Sequence, residues 1–459
     1  MFVCTEGTTK GSTGNKRACI VVLGDFGRSP RMQFHCASLA RHGIDVDVVS
    51  YSGSTPHEMI TSNQRIAQHS LLTPHQLKAG MPRAVYLFAA VVKTLQLIVT
   101  LLYRLLTVPR PDAYLVQTPP AIPALACVKL ACLLRNSKMV VDWHNLGYSI
   151  LALARPESSL LVRIYKGYER LMGPLSDYNF CVTVAMKAWL KATWGVSAST
   201  LYDRAPEIFK RLDVNDQHEL FIRLSRSHNG VLDGLDTSST VFTEKKASTG
   251  VASLRNDRPL LLVSSTSWTA DEDFGVLLKS LEIYDAQASN GTKHPDIVCI
   301  ITGKGPMKAH YMEVIAQKSL AHVQVYTMWL EAEDYPKLLG AADIGVSLHY
   351  SSSGLDLPMK VVDMFGCSLP VCAIDFDCLD ELVKDNVNGK VFDTSATLAS
   401  HFETLFEGFP THCEKLESLR SGTEEFRRIR WNEKRKRPSI STIVSWDETA
   451  WPIMMEAMR

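Results

Sequence analysis

Ala342-Asp343-Ile344-Gly345-Val346-Ser347-Leu348, then Ser351-Ser352-Ser353-Gly354-Leu355-Asp356-Leu357-Pro358-Met359-Lys360, then Leu369-Pro370-Val371-Cys372-Ala373 set two short apolar runs on either side of a serine- and glycine-rich loop. Apolar runs this short, without polar alternation, read as strands buried on both faces. The segment between them leaves room for a crossover helix. Strand, helix, strand in this order builds a parallel sheet.

The alternation continues in both directions. Upstream lie Pro259–Val263 as a strand, a helix near Asp273 to Ala286, a strand Ile297–Thr302 ending in Gly303-Lys304-Gly305-Pro306, and Val323–Tyr326. Earlier still, Cys19–Leu23 reads as a strand, followed by a helix from about Pro30 to His42. Asp45–Ser50, Ala113–Val116, Met139–Asp142 and Tyr178–Thr183 read as strands, with a helix near Lys187 to Thr193. Both halves are therefore α/β units with helix-covered parallel sheets. Between them, Ser, Thr, Asp, Gly and Asn cluster without apolar periodicity. The boundaries expected are a tail over 1–17, a first Rossmann-like domain over 18–212, a linker or insertion over 213–258, a second Rossmann-like domain over 259–410, and a C-terminal segment with a basic insert over 411–459.

The 459 residues, 46% of them hydrophobic, suffice for two packed cores, and a net charge of +1 argues against a nucleic-acid-binding surface. Eleven scattered cysteines, none in a C-x-x-C pair, fit a reducing compartment with buried thiols. The sequon Asn290-Gly291-Thr292 is then a chance occurrence. The N-terminus has no apolar core, so neither signal peptide nor amino-terminal anchor is expected. The basic run from Arg427 to Arg437 is a solvated segment, a contact for anionic lipid headgroups or, third, a nuclear signal. Val85–Leu106 is long enough to span a bilayer. However, Lys93, Gln96, Thr100 and Arg104 recur on one helical stripe, with Leu87, Val91, Leu95, Ile98, Leu102 and Leu105 opposite. It reads as an amphipathic membrane-associating helix or a core helix, with Lys93 and Arg104 toward water in either case.

Loops at strand ends carry the polar residues suited to ligands. In Gly24-Asp25-Phe26-Gly27-Arg28-Ser29-Pro30-Arg31, Gly24 and Gly27 admit close backbone approach, and Pro30 opens a helix whose free N–H groups attract anions. Arg28 and Arg31 add positive charge. A diphosphate is the ligand such a turn suits; a structural turn is the alternative. In Asp142-Trp143-His144-Asn145, His144 is a candidate general base oriented by Asp142, or a structural histidine. Ser265 and Thr266 offer hydroxyls to phosphate, and Lys304 offers charge to a leaving diphosphate.

Taken together, Gly24 to Met32, Asp142–Asn145 with Gly147-Tyr148-Ser149, Ser264 to Phe274, Thr302–Pro306 and Ser351 to Gly366 resemble the chitobiosyldiphosphodolichol β-mannosyltransferases over about residues 18–410. Trp329 to Phe392 is similar to the nucleotide-sugar half of GT-B glycosyltransferases. Trp446-Asp447-Glu448-Thr449-Ala450-Trp451 resembles the family's terminal segment. Three departures from the pattern are expected or seen: no amino-terminal membrane helix of the family's kind is expected, Val184 stands where Asn is expected, and Asp356 and Asp363 are one residue closer than the acidic pair of retaining relatives.

The resemblance implies two Rossmann-like domains facing each other across a cleft. It implies transfer of the first mannose of the lipid-linked oligosaccharide from GDP-mannose to a dolichol-linked diphosphate chitobiose, inverting to a β1,4 link, at the cytosolic face of the endoplasmic reticulum membrane. The donor would meet Ser265, Thr266, Lys304, Ser353, Gly354, Leu355, Asp356, Lys360 and Asp363, with Glu331 reading guanine or capping a helix. The acceptor would meet Gly24, Gly27, Arg28, Arg31, Asp142 and Asn145, and His144 or Asp25 would take its proton. No metal ligand set and no tightly bound cofactor is implied, although Mg²⁺ could stimulate. Partners would be the membrane surface and other early dolichol-pathway mannosyltransferases. The rival readings are a retaining or UDP-sugar-dependent enzyme on the same fold, and a non-catalytic subunit that binds lipid-linked oligosaccharide.

Overall fold

The structure is a computed structural model that describes residues 15–72, 82–228, 230–234, 239–246, 248–269, 272–290, 294–431 and 446–459. Most of the N-terminal tail, two residues of the sequon and the basic run beyond Trp431 lie outside the described residues. The rest forms two compact units: the described parts of Met1–Val182, Met186–Leu201 and Val444–Arg459, and those of Thr183–Ala185 and Tyr202–Ile443.

In the first unit the described strands are β1 (Arg17–Asp25), β2 (Asp45–Tyr51), β3 (Ile66–Leu71), β4 (Ala113–Thr118), β5 (Lys138–Trp143), β6 (Tyr178–Cys181) and β7 (Ser199–Thr200). They form a parallel sheet in the order β3-β2-β1-β4-β5-β6-β7. Its helices are α1 (Pro30–Arg41), α2 (Glu58–Thr61), α3 (Arg83–Thr107), α4 (Ala124–Arg135), α5 (Gly147–Ala154), α6 (Leu160–Met172) and α7 (Val184–Trp194), whose first two residues group with the second unit. Strand order reverses at β1, so the loops after β1, β4 and β5 gather at the carboxyl edge where open sheets bind ligands.

The second unit adds α8 (Val214–Ser227), a hairpin of β8 (Thr243–Lys245) and β9 (Ala252–Leu254), then β10 (Leu260–Ser265), α9 (Phe274–Ser289), β11 (Ile297–Thr302), α10 (Lys308–Ala316), β12 (Val323–Met328), α11 (Asp334–Ala341), β13 (Ile344–Ser347), α12 (Met359–Gly366), β14 (Val371–Ile374), β15 (Gly389–Phe392), α13 (Ser395–Leu405) and α14 (Glu414–Trp431). Its sheet is parallel in the order β12-β11-β10-β13-β14-β15. The chain then returns to the first unit as α15 (Trp446–Ala457).

Three expectations change. The supposed linker over 213–258 is part of the second unit, as is Tyr202–Leu212, which was expected to end the first domain. Asp213 caps α8 by accepting the N–H groups of Asn215 and Asp216, and Leu220, Phe221, Leu224 and Phe242 are buried in that unit's core. The C-terminal segment is divided: α14 belongs to the second unit, whereas Trp446, Ala450 and Met454 of α15 are buried in the first.

The third change concerns α3. Val85, Phe88, Val91, Val92, Leu95, Gln96, Val99, Tyr103 and Leu106 are exposed, while Lys93, Ile98, Thr100, Leu102 and Arg104 are half-buried beside the buried Leu101 and Leu105. Lys93 and Arg104 thus lie on the inner side, and α3 is not a core helix. Periodicity places the two stripes only in part: Gln96 of the polar one is exposed and Leu105 of the apolar one is buried. Arg135 ties the end of α3 down by donating to Leu105 O and Val108 O, both at 2.8 Å.

Candidate active site

Asp25 ends β1 and organises the first loop. Its carboxylate accepts the Gly27 N–H at 3.0 Å, the Ser54 N–H at 2.9 Å and the Ser54 hydroxyl at 2.8 Å. Burial works to raise its pKa, but the hydrogen bonds from Ser54 and Gly27 outweigh it and hold the carboxyl below the usual range. Asp25 is therefore a weak base and a turn organiser, contrary to its candidacy for proton transfer. Gly27 is required: a Cβ there would sit 2.2 Å from Ser54 O, whereas Gly24 meets nothing closer than 3.8 Å. Arg28 is exposed, with its Nε donating to Ser54 Oγ at 3.0 Å and lying 3.5 Å from Asp25 Oδ2.

Arg31 does not join it. The Arg31 guanidinium is buried and bidentate on Asp142, at 2.8 Å to Oδ2 and 2.7 Å to Oδ1, and donates to Leu201 O at 2.6 Å. Its charge is taken up by Asp142 and is not offered to a diphosphate. Asp142, at the end of β5, is fully buried, so it cannot touch an acceptor either. What it does is hold two imidazoles. His35 Nε2 and His144 Nε2 both reach Oδ2, at 3.1 and 3.0 Å. Burial opposes its charge, yet Arg31 and the two histidines keep its pKa well below the usual carboxylate range.

His144 is partly exposed, and its N–H is anchored on Thr118 O at 2.9 Å. With Nε2–H given to Asp142, Nδ1 keeps its lone pair, and it has no hydrogen-bond partner among the described residues. A histidine held by a buried carboxylate on one nitrogen and open on the other is the arrangement of a general base. Asn145 is half-buried, its Oδ1 accepting from Leu146 N at 2.7 Å. Beneath this turn is a residue the sequence did not flag. Glu169 accepts the N–H groups of Gly147 and Tyr148 at 2.9 and 3.2 Å, capping α5, and burial pushes its pKa up to about 7.

In the second unit, β10 and β11 end in register at Ser265 and Thr302, so their loops touch. A Cβ on Gly303, whose φ is +140°, would lie 1.8 Å from Thr266 O, and one on Gly305 would lie 1.7 Å from Ser267 O. Lys304 Nζ rests over the Trp329 ring, 3.7 Å from its centroid. Glu272, also unflagged, is the hub here. It accepts the Thr266 hydroxyl at 2.6 Å and Ser267 N at 3.0 Å, and its other oxygen pairs with Lys360. Ser265, Thr266, Lys304 and Lys360 are thereby brought to one sheet edge. Glu331 is exposed, and only its carbonyl caps α11, accepting from Asp334 N at 3.0 Å.

The loop before α12 folds on itself. Asp356 accepts from the hydroxyls of Ser351 and Ser353, and Gly354 takes a φ of +70°. Leu355 contributes its carbonyl, which accepts from Thr183 Oγ1 at 2.6 Å. Val184, in place of the expected Asn, gives its N–H to Glu381 at 2.7 Å, as does Ala185.

Asp363 on α12 differs from the carboxylate expected there. Burial, with help from the Asp203 charge, pushes its pKa up to about 8, so near neutrality it keeps its proton and can donate as well as accept. Such a group favours folding while protonated. That contribution is complete below the ordinary value of 3.8 and is lost as pH rises through about 8. Asp363→Asn should therefore flatten the decline in urea midpoint between pH 5 and pH 8; a variant with the wild-type slope would exclude Asp363 as its source.

Among the described residues no three His, Cys, Asp or Glu side chains cluster as a metal site, and the ten described cysteines are free and buried.

Known proteins match both units. A family model for the Glycosyl transferase 4-like domain matches residues 29–201, and one for Glycosyl transferases group 1 matches residues 251–418. The chitobiosyldiphosphodolichol beta-mannosyltransferase of Homo sapiens is 44% identical over 443 residues, covering 95% of this chain and 92% of that protein. That of Mus musculus is 45% identical over 450 residues, covering 96% and 90%. The chain belongs to the chitobiosyldiphosphodolichol beta-mannosyltransferase family. It is a glycosyltransferase, as its motifs implied. A further relative of this family member, 46% identical over 89% of this chain and 93% of its own length, is named UDP-glycosyltransferase TURAN, from Arabidopsis thaliana. Among solved structures, sucrose-phosphate synthase from Thermosynechococcus elongatus has a TM-score of 0.61 at 11% identity, covering 96% of this chain and 98% of that one. Anabaena HepE bound to UDP and glucose has a TM-score of 0.57 at 14% identity, covering 90% and 95%. These likenesses show the fold: two parallel-sheet α/β domains of the GT-B kind.

Proposed function

We propose that this family member transfers mannose from GDP-mannose to a dolichol-linked diphosphate chitobiose with inversion, at the cytosolic face of the endoplasmic reticulum. The observation that carries the chemistry is the Asp142–His144 pair, with Nε2–H donated and Nδ1 open. The acceptor's 4-hydroxyl attacks the anomeric carbon of the α-linked mannose as its proton passes to His144 Nδ1, and the bond to GDP breaks with its electrons on the diphosphate. Lys304 and Lys360 stabilise that leaving charge without a tightly bound cofactor. Arg28 and the Gly27 turn receive the acceptor diphosphate. Mg²⁺ stimulates at most as a loose counterion, so turnover persists in EDTA.

The relative named as a UDP-glycosyltransferase makes nucleotide choice the first test. The purified protein is incubated with a short-chain lipid diphosphate chitobiose and either GDP-mannose or UDP-sugars, and the product is assigned by NMR. A β-mannosyl product from GDP-mannose alone is expected. Transfer from UDP-sugars, an α product, or binding without transfer would each overturn the reading.

Membrane attachment is assigned to α3, which presents its apolar ridge outward from Val85 to Leu106. The segment Phe88–Thr107 also has the length and composition of a membrane span. Inward-facing Lys93 and Arg104 favour an interfacial pose with the ridge in the lipid. Replacing Leu95 and Val99 together by aspartate should lower vesicle co-sedimentation at least about tenfold, since each buried aliphatic side chain is worth roughly 1.5–3 kcal/mol. Unchanged binding would place the contact elsewhere.

A further inference from the structure

Resting on the base role of His144 just proposed, we propose that Trp446 of the C-terminal helix is a positioning residue, acting through His35 to hold Asp142 and thus His144 in the proton-accepting state. Trp446 opens α15 and is buried against α1 and the sheet. Its indole Nε1–H donates to His35 Nδ1 at 3.0 Å. An indole N–H can only donate, so Nδ1 must carry a lone pair and the single proton of a neutral His35 sits on Nε2. That nitrogen lies 3.1 Å from Asp142 Oδ2, the oxygen that also receives His144.

The groups facing His35 are therefore Trp446, Asp142, Arg31 and His144. Burial keeps the His35 pKa below its ordinary value despite the neighbouring Asp142, so the ring stays neutral as the indole contact requires. Without the indole N–H, His35 is released to two other states. In the alternative tautomer its Nε2 lone pair faces Oδ2 and the carboxylate loses a donor. As imidazolium it adds a positive charge beside Asp142, which lowers the basicity of His144. Trp446 selects against both.

Trp446→Phe keeps the ring and its packing and deletes the N–H. His35→Gln is the conservative variant, because its amide N–H can donate to Asp142 while its oxygen accepts from Trp446. His35→Leu can do neither. In the full-length enzyme, Trp446→Phe and His35→Leu should lower kcat about tenfold, the worth of one hydrogen bond to a charged network. The KM for GDP-mannose should change little, and the pH profile of kcat/KM should shift. His35→Gln should keep most of the wild-type kcat.

Imidazole ¹⁵N spectra give a readout independent of turnover: wild-type His35 should be protonated on Nε2 only, and Trp446→Phe should mix that state. A folded Trp446→Phe enzyme with wild-type kcat, pH profile and His35 tautomer overturns the proposal, as does equal activity of His35→Gln and His35→Leu. His144→Ala is assayed alongside. Unchanged turnover there defeats the base reading itself, whereas the ¹⁵N spectra still decide whether Trp446 fixes His35.

Discussion

His144→Ala is expected to lower kcat by about 10²–10⁴-fold, the usual contribution of a positioned general base, with little change in the KM for GDP-mannose. The expectation rests on what the side chain does and does not touch. Its ring meets its own unit through Asp142 at 3.0 Å and remains partly exposed, so truncation opens space at a rim and spares the core. Asp142 keeps Arg31 and His35 as partners, so the buried charge stays satisfied. In the proposed reading the donor's phosphates are assigned to Lys304 and Lys360, not to His144. A loss confined to kcat is therefore the signature of a proton acceptor. Steady-state kinetics with both substrates varied would show it; a rise in acceptor KM with kcat intact would make His144 a binding residue.

Much of this was legible in the sequence. Buried parallel strands leave continuous apolar runs, so β1, β5, β10, β11 and β13 were readable directly, and loops at their carboxyl ends follow from the topology. Less legible was anything set by which face turns inward. Arg31 and Arg28 look equivalent in the string, yet one lies under the sheet edge on Asp142 and the other points to water. The same ambiguity set Lys93 and Arg104 of α3 toward water, whereas they are half-buried. Edge strand β3 escaped because its residues are mostly polar or small and half-exposed or exposed, with neither an apolar run nor an alternation to mark it. The segment before β10 read as a linker because the helical stripe of Leu220, Phe221 and Leu224 is short and set among polar neighbours. Glu169, Glu272, His35 and Trp446 were given no individual role from the sequence, and their roles come from contacts that the fold makes, such as Lys360 on Glu272 and His35 on Trp446. Only the acid at Asp142, two residues before His144, gave a local sign of the network both belong to.

Asp142→Ala is expected to destabilise the fold by about 3–5 kcal/mol, because it strands the buried Arg31 guanidinium without its counter-charge. Arg31 cannot shed its proton, and its remaining bond to Leu201 O does not neutralise it. The buried His35 loses its acceptor as well. The wild-type pH dependence carries the same signature. A carboxyl held well below its ordinary value contributes stability that is present above about 4 and is lost as acid drives pH through the lowered value. Urea titration at pH 7 should show the loss for Asp142→Ala, and its acid limb should be flatter than that of the wild type. The double variant Arg31→Met with Asp142→Leu should recover much of the stability, since exchanging a whole buried ion pair for apolar side chains is often neutral or better. It should recover no turnover, because His144 is left with nothing to orient it. Stability regained without activity separates the fold's need for this pair from the reaction's need for its carboxylate; recovery of both would show that Asp142 has no part in catalysis.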